Sequence, residues 1–419
     1  MLDKEYLKNI VLDQRERLDN TSIGFPRDKL ENISNLIKHK TNVVVTGHRR
    51  SGKSTFLLQW MNKYYDKFHY LDFSDDRLVG FETKDFQTLY EVFIELYGDN
   101  KIFFFDELQG TYDWNKFVNR LYSSGYRFFI TGSNADLLSK EISTFLTGRH
   151  MDVIIFPFSF KEYLSYRTDK KNINLTKDRI LIEKEFKKYL EIGGFPEVIV
   201  YGSRDILNEV YNDVLNRDIL QKYSIKNEVT FKKMSLYLLS NFAKEFSYTS
   251  LKNNFQLGST NTAKNYVSYL NNSYVLFELN KYDYSLKKQE TYSKKIYCID
   301  HGILNELTFA FSENKGRLYE NIVFIELLRR NKEVYYWKNN QDKEVDFLVV
   351  EKSKVTELIQ VCYDISNEKT KNREISSLLL AMNEFNLKEG LILTNSYDAK
   401  EMYDNKKIVF KSLYKWLLE

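Results

Sequence analysis

Five short apolar runs punctuate the first third of the chain, each followed by a stretch with helical spacing. They are Asn42-Val-Val-Val-Thr46, His69-Tyr-Leu-Asp-Phe73, Lys101-Ile-Phe-Phe-Phe105, Tyr126-Arg-Phe-Phe-Ile-Thr131 and Asp152-Val-Ile-Ile-Phe156. Runs of this length, apolar on both faces and about 30 residues apart, predict buried parallel strands in βαβ units. Before them, residues 1–40 are charged and helical in pattern, ending in Leu30-Glu-Asn-Ile-Ser-Asn-Leu-Ile-Lys38. From Pro157 to about Ile225 the spacing is helical, broken once at Gly193-Gly-Phe-Pro196. Phe231 to Thr308 reads as helices, then strands with a basic turn at Ser285-Leu-Lys-Lys288. From Gly316 a helix precedes three strands, Glu333–Lys338, Lys343–Val350 and Thr356–Cys362. A last helix and the strand Gly390–Thr394 complete a second α/β domain. The fold class is α/β, a doubly wound parallel core followed by a helical segment and further modules.

Composition narrows the class. The 419 residues correspond to about two to four domains. Hydrophobic residues at 43% and charged residues at 29% supply more than one core. The net charge of +4 excludes a bulk polycation. Cys298 and Cys362 cannot form a disulfide framework, and five scattered histidines show no metal-ligand spacing. No apolar run approaches the length of a membrane span, and the first residues lack the order of a signal peptide. The expectation is a soluble chain in a reducing, cytoplasmic setting, with no membrane partner.

The first run ends in Gly47-His-Arg-Arg-Ser-Gly52-Lys53-Ser54-Thr55, which fits G-x-x-x-x-G-K-[ST] in its strand-to-helix context. Gly47, Arg50, Ser51, Gly52, Lys53, Ser54 and Thr55 are the candidate phosphate cradle. Backbone N–H groups and a helix N-terminus face the phosphates, Lys53 reaches the β- and γ-phosphates, and Ser54 ligates Mg²⁺. The third run ends in Asp106-Glu107. There Asp106 is expected to hold Mg²⁺, and Glu107 to orient or deprotonate the attacking water. The fourth ends in Thr131-Gly-Ser133-Asn134, where either Ser133 or Asn134 can sense the γ-phosphate or simply cap a helix. Arg149 is a candidate guanidinium for that phosphate, in cis or from a neighbouring subunit of a homo-oligomer. ATP and Mg²⁺ are thus the expected cofactors.

With Phe105-Asp-Glu107, Ile130-Thr-Gly-Ser133, Leu146-Thr-Gly-Arg149 and Phe156-Pro-Phe-Ser-Phe-Lys-Glu162, the P-loop resembles a prokaryotic family of AAA-type P-loop ATPases. Gly193-Gly-Phe-Pro196, Asn216-Arg-Asp-Ile219 and Lys295-Ile-Tyr-Cys-Ile-Asp-His-Gly302 extend the resemblance over nearly the whole chain. It implies an AAA-type core (1–160), a helical lid (161–228), a winged-helix-like domain (229–310) and a restriction-endonuclease-like domain (311–419).

Between Phe231 and Asp300 ten lysines face five acids, a local charge of +5, so the remaining residues of the +4 chain sum to −1. Two helices joined at Gln256-Leu-Gly258, then a strand pair bearing Lys287-Lys288 and Lys294-Lys295, suit a DNA-binding module. Lys264, Lys287, Lys288, Lys294 and Lys295 are its candidate phosphate contacts. A protein-docking surface is the competing expectation. Farther on, Glu320, Asp346 and Gln360 resemble the metal-collecting acids of the PD-(D/E)XK nucleases. Gln360 replaces an acid and Cys362 the lysine, so this domain is expected to be degenerate and nuclease activity absent. The expected function is Mg²⁺-dependent ATP hydrolysis driving or switching an attached DNA- or protein-binding module. The alternatives are a nucleotide-dependent binding switch with incidental turnover and an ATP-regulated nuclease.

Overall fold

The computed structural model describes residues 2–32, 40–111, 113–133, 149–169, 172–308 and 315–419. The chain divides into two compact units, Met1–Phe156 and Pro157–Glu419.

In the first unit, α1 (Lys4–Asp19) starts at Asp3, whose carboxylate accepts from the Glu5 and Tyr6 amides. There follow β1 (Asn42–Thr46), α2 (Lys53–Tyr64), β2 (His69–Asp72), α3 (Asp85–Tyr97) and β3 (Ile102–Asp106). Then come α4 (Trp114–Ser123), β4 (Arg127–Gly132) and β5 (His150–Ile154). The five strands form one sheet in the order β2-β3-β4-β1-β5, every pairing parallel. All five expected strands are present, within two residues of their expected limits. Because successive side chains alternate across a strand, one set builds each face. Val44, Phe103, Phe105, Phe128 and Ile130 pack with α1, α3 and α4, whereas Val43, Val45, Phe104 and Phe129 pack with α2. The registers Phe103↔Phe128 and Phe104↔Phe129 stack their rings at 4.9 and 4.6 Å. Each fully buried phenylalanine contributes roughly 1.5–3 kcal/mol. This double-sided packing fixes the carboxyl ends of β1, β3 and β4 beside one another.

The second unit opens with α5 (Phe160–Arg167), α6 (Thr176–Ile192) and α7 (Asp205–Asp213). Gly193 and Gly194 end α6 at a close backbone approach. A Cβ on Gly194 would lie 2.3 Å from the Phe158 carbonyl oxygen, and one on Gly193 2.1 Å from Asp300 Oδ1. Asp300 accepts from the Gly194 and Gly302 amides, both at 2.8 Å. Gly193-Gly194 and Asp300-His-Gly302, distant in sequence, are therefore two halves of one packing device.

Next come α8 (Glu228–Ser240), β6 (Glu245–Phe246), α9 (Tyr248–Asn254), α10 (Thr260–Asn272) and β7 (Leu276–Leu279). They are followed by α11 (Leu286–Thr291), β8 (Lys294–Cys298) and α12 (His301–Leu307). The three strands form an antiparallel sheet in the order β6-β8-β7. Two expectations are corrected here. Lys287 and Lys288 sit on the short helix α11, not on a strand or a basic turn, because Asp283 accepts from the Ser285 amide and turns the chain into a helical start. Lys294 and Lys295, expected on an exposed wing, lie on the central strand and are only 5% and 3% exposed.

The chain ends in α13 (Lys315–Arg329), β9 (Glu333–Lys338), β10 (Glu344–Glu351), β11 (Lys354–Val361), α14 (Glu368–Glu384) and β12 (Glu389–Thr394). Last are β13 (Ala399–Tyr403), β14 (Lys406–Ser412) and α15 (Leu413–Trp416). One six-stranded sheet has the order β13-β14-β12-β11-β10-β9, parallel from β11 through β12 to β14 and antiparallel elsewhere. Strands β13 and β14 were not expected. Their signal is the pair Asp404-Asn405, both at positive φ (44° and 62°), which closes a tight hairpin. Among the described residues, no helix is long and apolar enough to cross a membrane.

Candidate functional site

The loop between β1 and α2 is built on left-handed backbone. Gly47, Arg50 and Gly52 have φ of 146°, 61° and 94°. A Cβ on Gly47 would lie 2.2 Å from the Ile155 carbonyl oxygen, so only glycine fits against β5's exit. Gly52 is the N-cap of α2 and offers no side-chain acceptor, so the first helical N–H groups point into the loop. Lys53 is 4% exposed, and its ammonium donates to the His48 carbonyl at 3.2 Å and lies 3.6 Å from Glu107 Oε1. Burial, reinforced by the Lys53 charge, lowers the His48 imidazole to about 4, so it is neutral at the loop.

The acids come from the end of β3. Asp106 is 4% exposed. Burial pushes its carboxyl up to about 6, with the Glu107 and Asp72 charges adding to the rise and the Thr131 and Ser54 hydroxyls opposing it. Glu107 takes a left-handed backbone (φ 52°), which turns its carboxylate back toward Lys53. Thr131, at the end of β4, ties the acids together. Its hydroxyl donates to Asp106 and accepts from the Glu107 amide at 2.9 Å. Gln109 donates from one nitrogen to Glu107 Oε2 and to Ser133 Oγ at 3.2 Å. Lys53, Ser54, Asp106, Glu107, Thr131 and Ser133 therefore converge at the carboxyl edge of the parallel sheet, where open α/β sheets hold ligands.

Asn134 lies outside the described residues. Arg149 does not join the group. It precedes β5, its carbonyl accepts from the Asn42 amide at 2.9 Å, and its guanidinium lies 5.7 Å from the Tyr122 ring. That is the opposite edge of the sheet, about 17 Å away along the five residues of β1. Arg149 is thus remote from the phosphate loop of its own chain.

Sequence reading missed a brace. Arg27, 5% exposed, donates to the Ser51 carbonyl at 2.9 Å and the Phe156 carbonyl at 2.6 Å. Gln59 on α2 donates to the Ile23 and Phe25 carbonyls and accepts from the Arg27 amide. This strap passes so close to Thr55 that a Cβ on Gly24 would lie 2.8 Å from its methyl group. Gly24-Phe-Pro26 was its one visible signal, an ordinary turn.

The raised carboxyl of Asp106 has a stability consequence. Its ordinary value is 3.8, so between there and about 6 the folded state binds more protons than the unfolded one. Stability then falls as pH rises through that window and stays reduced above it. Asp106→Asn should stabilise the fold at pH 7.5 by on the order of 3 kcal/mol, raising the melting temperature, and should have little effect at pH 4. Thermal melts at both pH values check this. An unchanged or lower melting point at pH 7.5 contradicts it.

Residues 39–164 match the AAA domain family, residues 183–314 the domain of unknown function DUF8612, and residues 315–414 the domain of unknown function DUF4143. The uncharacterized protein MJ1544 of Methanocaldococcus jannaschii is 36% identical, over 100% of this chain and 96% of its own. The chain belongs to that protein's family. An uncharacterized protein of Haemophilus influenzae is 29% identical over 90% of this chain and 94% of its own. Among solved structures, the Walker-type ATPase PABY2304 of Pyrococcus abyssi is 14% identical, with 68% of this chain and 95% of that one covered and a TM-score of 0.40. The family match alone assigns residues 39–164 to an AAA domain, and the loop between β1 and α2 carries its P-loop pattern.

Proposed function

We propose that this protein hydrolyses ATP with Mg²⁺ and uses the cycle to drive or switch the module that follows. The observation that carries the reading is the convergence of Lys53, Asp106 and Glu107 on one loop–helix N-terminus. Ser54 and Asp106 suit a divalent cation: a carboxyl buried to this degree gains from a cation beside it, and the Ser54 hydroxyl already bonds it. When bound there, Mg²⁺ would supply positive charge against the phosphates. The chain does the rest. The loop amides and Lys53 hold the phosphates. Glu107, oriented through Thr131 and Gln109, accepts the proton of the attacking water. Ser133, which accepts from Gln109, would sense the γ-phosphate.

Arg149, remote from its own site, is proposed to act on the site of a neighbouring copy. Mixing Arg149→Ala with Glu107→Gln chains should then return part of the ATPase activity that each lacks alone. Full activity of Arg149→Ala by itself would rule that role out.

We infer a winged-helix-like domain from the order α8-β6-α9-α10-β7-α11-β8, and a degenerate PD-(D/E)XK-like domain from α13-β9-β10-β11-α14-β12. For the first of these we propose weak contact with duplex DNA through the exposed Lys264, Lys287 and Lys288. Lys264 lies 3.8 Å from Glu290 and Lys288 3.6 Å from Asp283, both exposed pairs of little strength. Three phosphate contacts give a log–log salt slope of about −2.7, where the five lysines read from sequence give about −4.5. Replacing Lys287 and Lys288 by Ala should flatten it by about 2. A titration of unrelated duplexes over a salt series tests this, and absence of binding at low salt assigns the surface to a protein partner instead.

A further inference from the structure

Lys295 lies in the middle of a carboxylate site. It projects from the central strand β8, and its ammonium is 2.8 Å from Glu320 Oε1, 2.6 Å from Glu344 Oε1 and 3.4 Å from Asp346 Oδ1. Glu320 comes from α13, and Glu344 and Asp346 from β10, so carboxylates of two elements converge on the nitrogen supplied by a third. The pairing of β10 with β9 shifts register between Val345 and Leu348, and this irregularity brackets Asp346.

Other groups of the cluster are bonded as well. Tyr297, two residues along β8, donates to Glu320 Oε1 at 2.7 Å. Asp346 Oδ2 accepts from the Val361 amide at 2.9 Å. Gln360 is turned away from the ammonium: its carbonyl accepts from the Asp346 amide at 3.2 Å and its NH₂ donates to Glu374 at 2.6 Å. Cys362 donates to the Asp364 carbonyl at 3.4 Å. Lys295, Glu320 and Asp346 are all buried, and Glu344 is the most open of the four.

Burial alone would lower the Lys295 ammonium, but the Glu320, Tyr297, Asp346 and Glu344 groups hold it well above the ordinary lysine range. Burial and the Glu320 charge push Asp346 well above the ordinary carboxylate range. The ammonium is therefore the charge that makes three neighbouring acids tolerable. Among the described residues, no group of acids, histidines or cysteines is arranged to hold a metal ion.

We propose that Lys295 is the resident cation of this carboxylate site, standing where a divalent metal would otherwise be held. The C-terminal sheet is thereby latched to β6-β8-β7 and works as a binding module, not as a metal-dependent phosphodiesterase. The join has further stitches on the same side. Asn321 on α13 bonds both backbone groups of Cys298, and Tyr336 on β9 bonds the Asn280 and Tyr282 backbone. Lys338 on β9 pairs with Glu245 on β6 at 2.6 Å. The inference does not depend on the ATPase reading, since no residue of the phosphate loop takes part.

Mn²⁺ titration of the full chain, with free ion followed by electron paramagnetic resonance, tests it. The Mn²⁺ bound at this site is the amount that Asp346→Asn removes. Wild type should show none. Lys295→Met should bind one Mn²⁺ beyond what wild type takes up, and Asp346→Asn added to it should abolish that binding. Amides of β8 should also exchange at least about tenfold faster in Lys295→Met, while Lys295→Arg should retain protection. If Lys295→Met does not fold, Lys295→Met with Glu320→Gln removes one charge of each sign and keeps two carboxylates for the same titration. Stoichiometric Mn²⁺ in wild type that Asp346→Asn removes would overturn the proposal. So would a folded variant lacking Lys295 that takes up no additional Mn²⁺.

Discussion

Glu107→Gln should lower ATP turnover by about 10²–10⁴-fold while leaving ATP affinity within a few-fold of wild type. Glutamine keeps the size of the side chain and its hydrogen bonds to Gln109, but it cannot take a proton. The Thr131 contact is to the Glu107 backbone amide, so the substitution leaves it intact. Affinity should be retained because, on the proposed reading, the phosphate contacts come from the loop amides and Lys53, not from Glu107. In the structure Glu107 lies 3.6 Å from Lys53, so loss of its charge frees the ammonium for phosphate. Binding should therefore tighten slightly if it changes at all. Equilibrium binding of a fluorescent ATP analogue and phosphate release, measured side by side, separate the two effects. Equal loss of both would show that Glu107 is a structural residue.

Lys53→Ala should remove ATP binding itself. Deleting one partner of a buried, hydrogen-bonded charge pair costs about 2–5 kcal/mol, a loss of affinity of roughly 30-fold or more. The site makes the upper part of that range the expected one. Lys53 is 4% exposed, so water cannot replace the ammonium once phosphates fill the loop. The fold should survive, because the partners left behind are a loop carbonyl and a carboxylate that is already bonded to Gln109. A melting curve matching wild type, together with lost nucleotide binding, is the expected pair of results. Unchanged affinity would remove the phosphate assignment of the loop.

The parts that were legible in the sequence are those written in local pattern. Five strands declare themselves as short apolar runs, and the phosphate loop as glycines at fixed spacing between a strand and a helix. Asp106 and Glu107 are legible because a strand end fixes where its next residues go. The order β2-β3-β4-β1-β5 was not legible, since which parallel strand lies beside which is decided by packing across the sheet. Nor was the Arg27–Ser51–Phe156 brace, whose two acceptors are backbone carbonyls and leave no trace in residue type.

The lysines show the same limit from the other side. Counting charge placed Lys294 and Lys295 on a basic surface, because their neighbours in sequence are polar. Their partners are instead remote in sequence: Asn280 for Lys294, and Glu320, Glu344 and Asp346 for Lys295. Lys287 and Lys288 remained on the surface but on a helix, since one Asp283–Ser285 turn outweighed the expected strand. In the C-terminal domain, Glu320 and Asp346 were found as a pair, whereas the cation between them lies on a strand assigned to another module.

The most direct test of the central claim is phosphate release from ATP by the purified full chain, with and without Mg²⁺, beside Lys53→Ala. Steady release that needs Mg²⁺ and disappears in Lys53→Ala is the predicted result. Release that continues without a divalent cation, or that Lys53→Ala leaves unchanged, would contradict it.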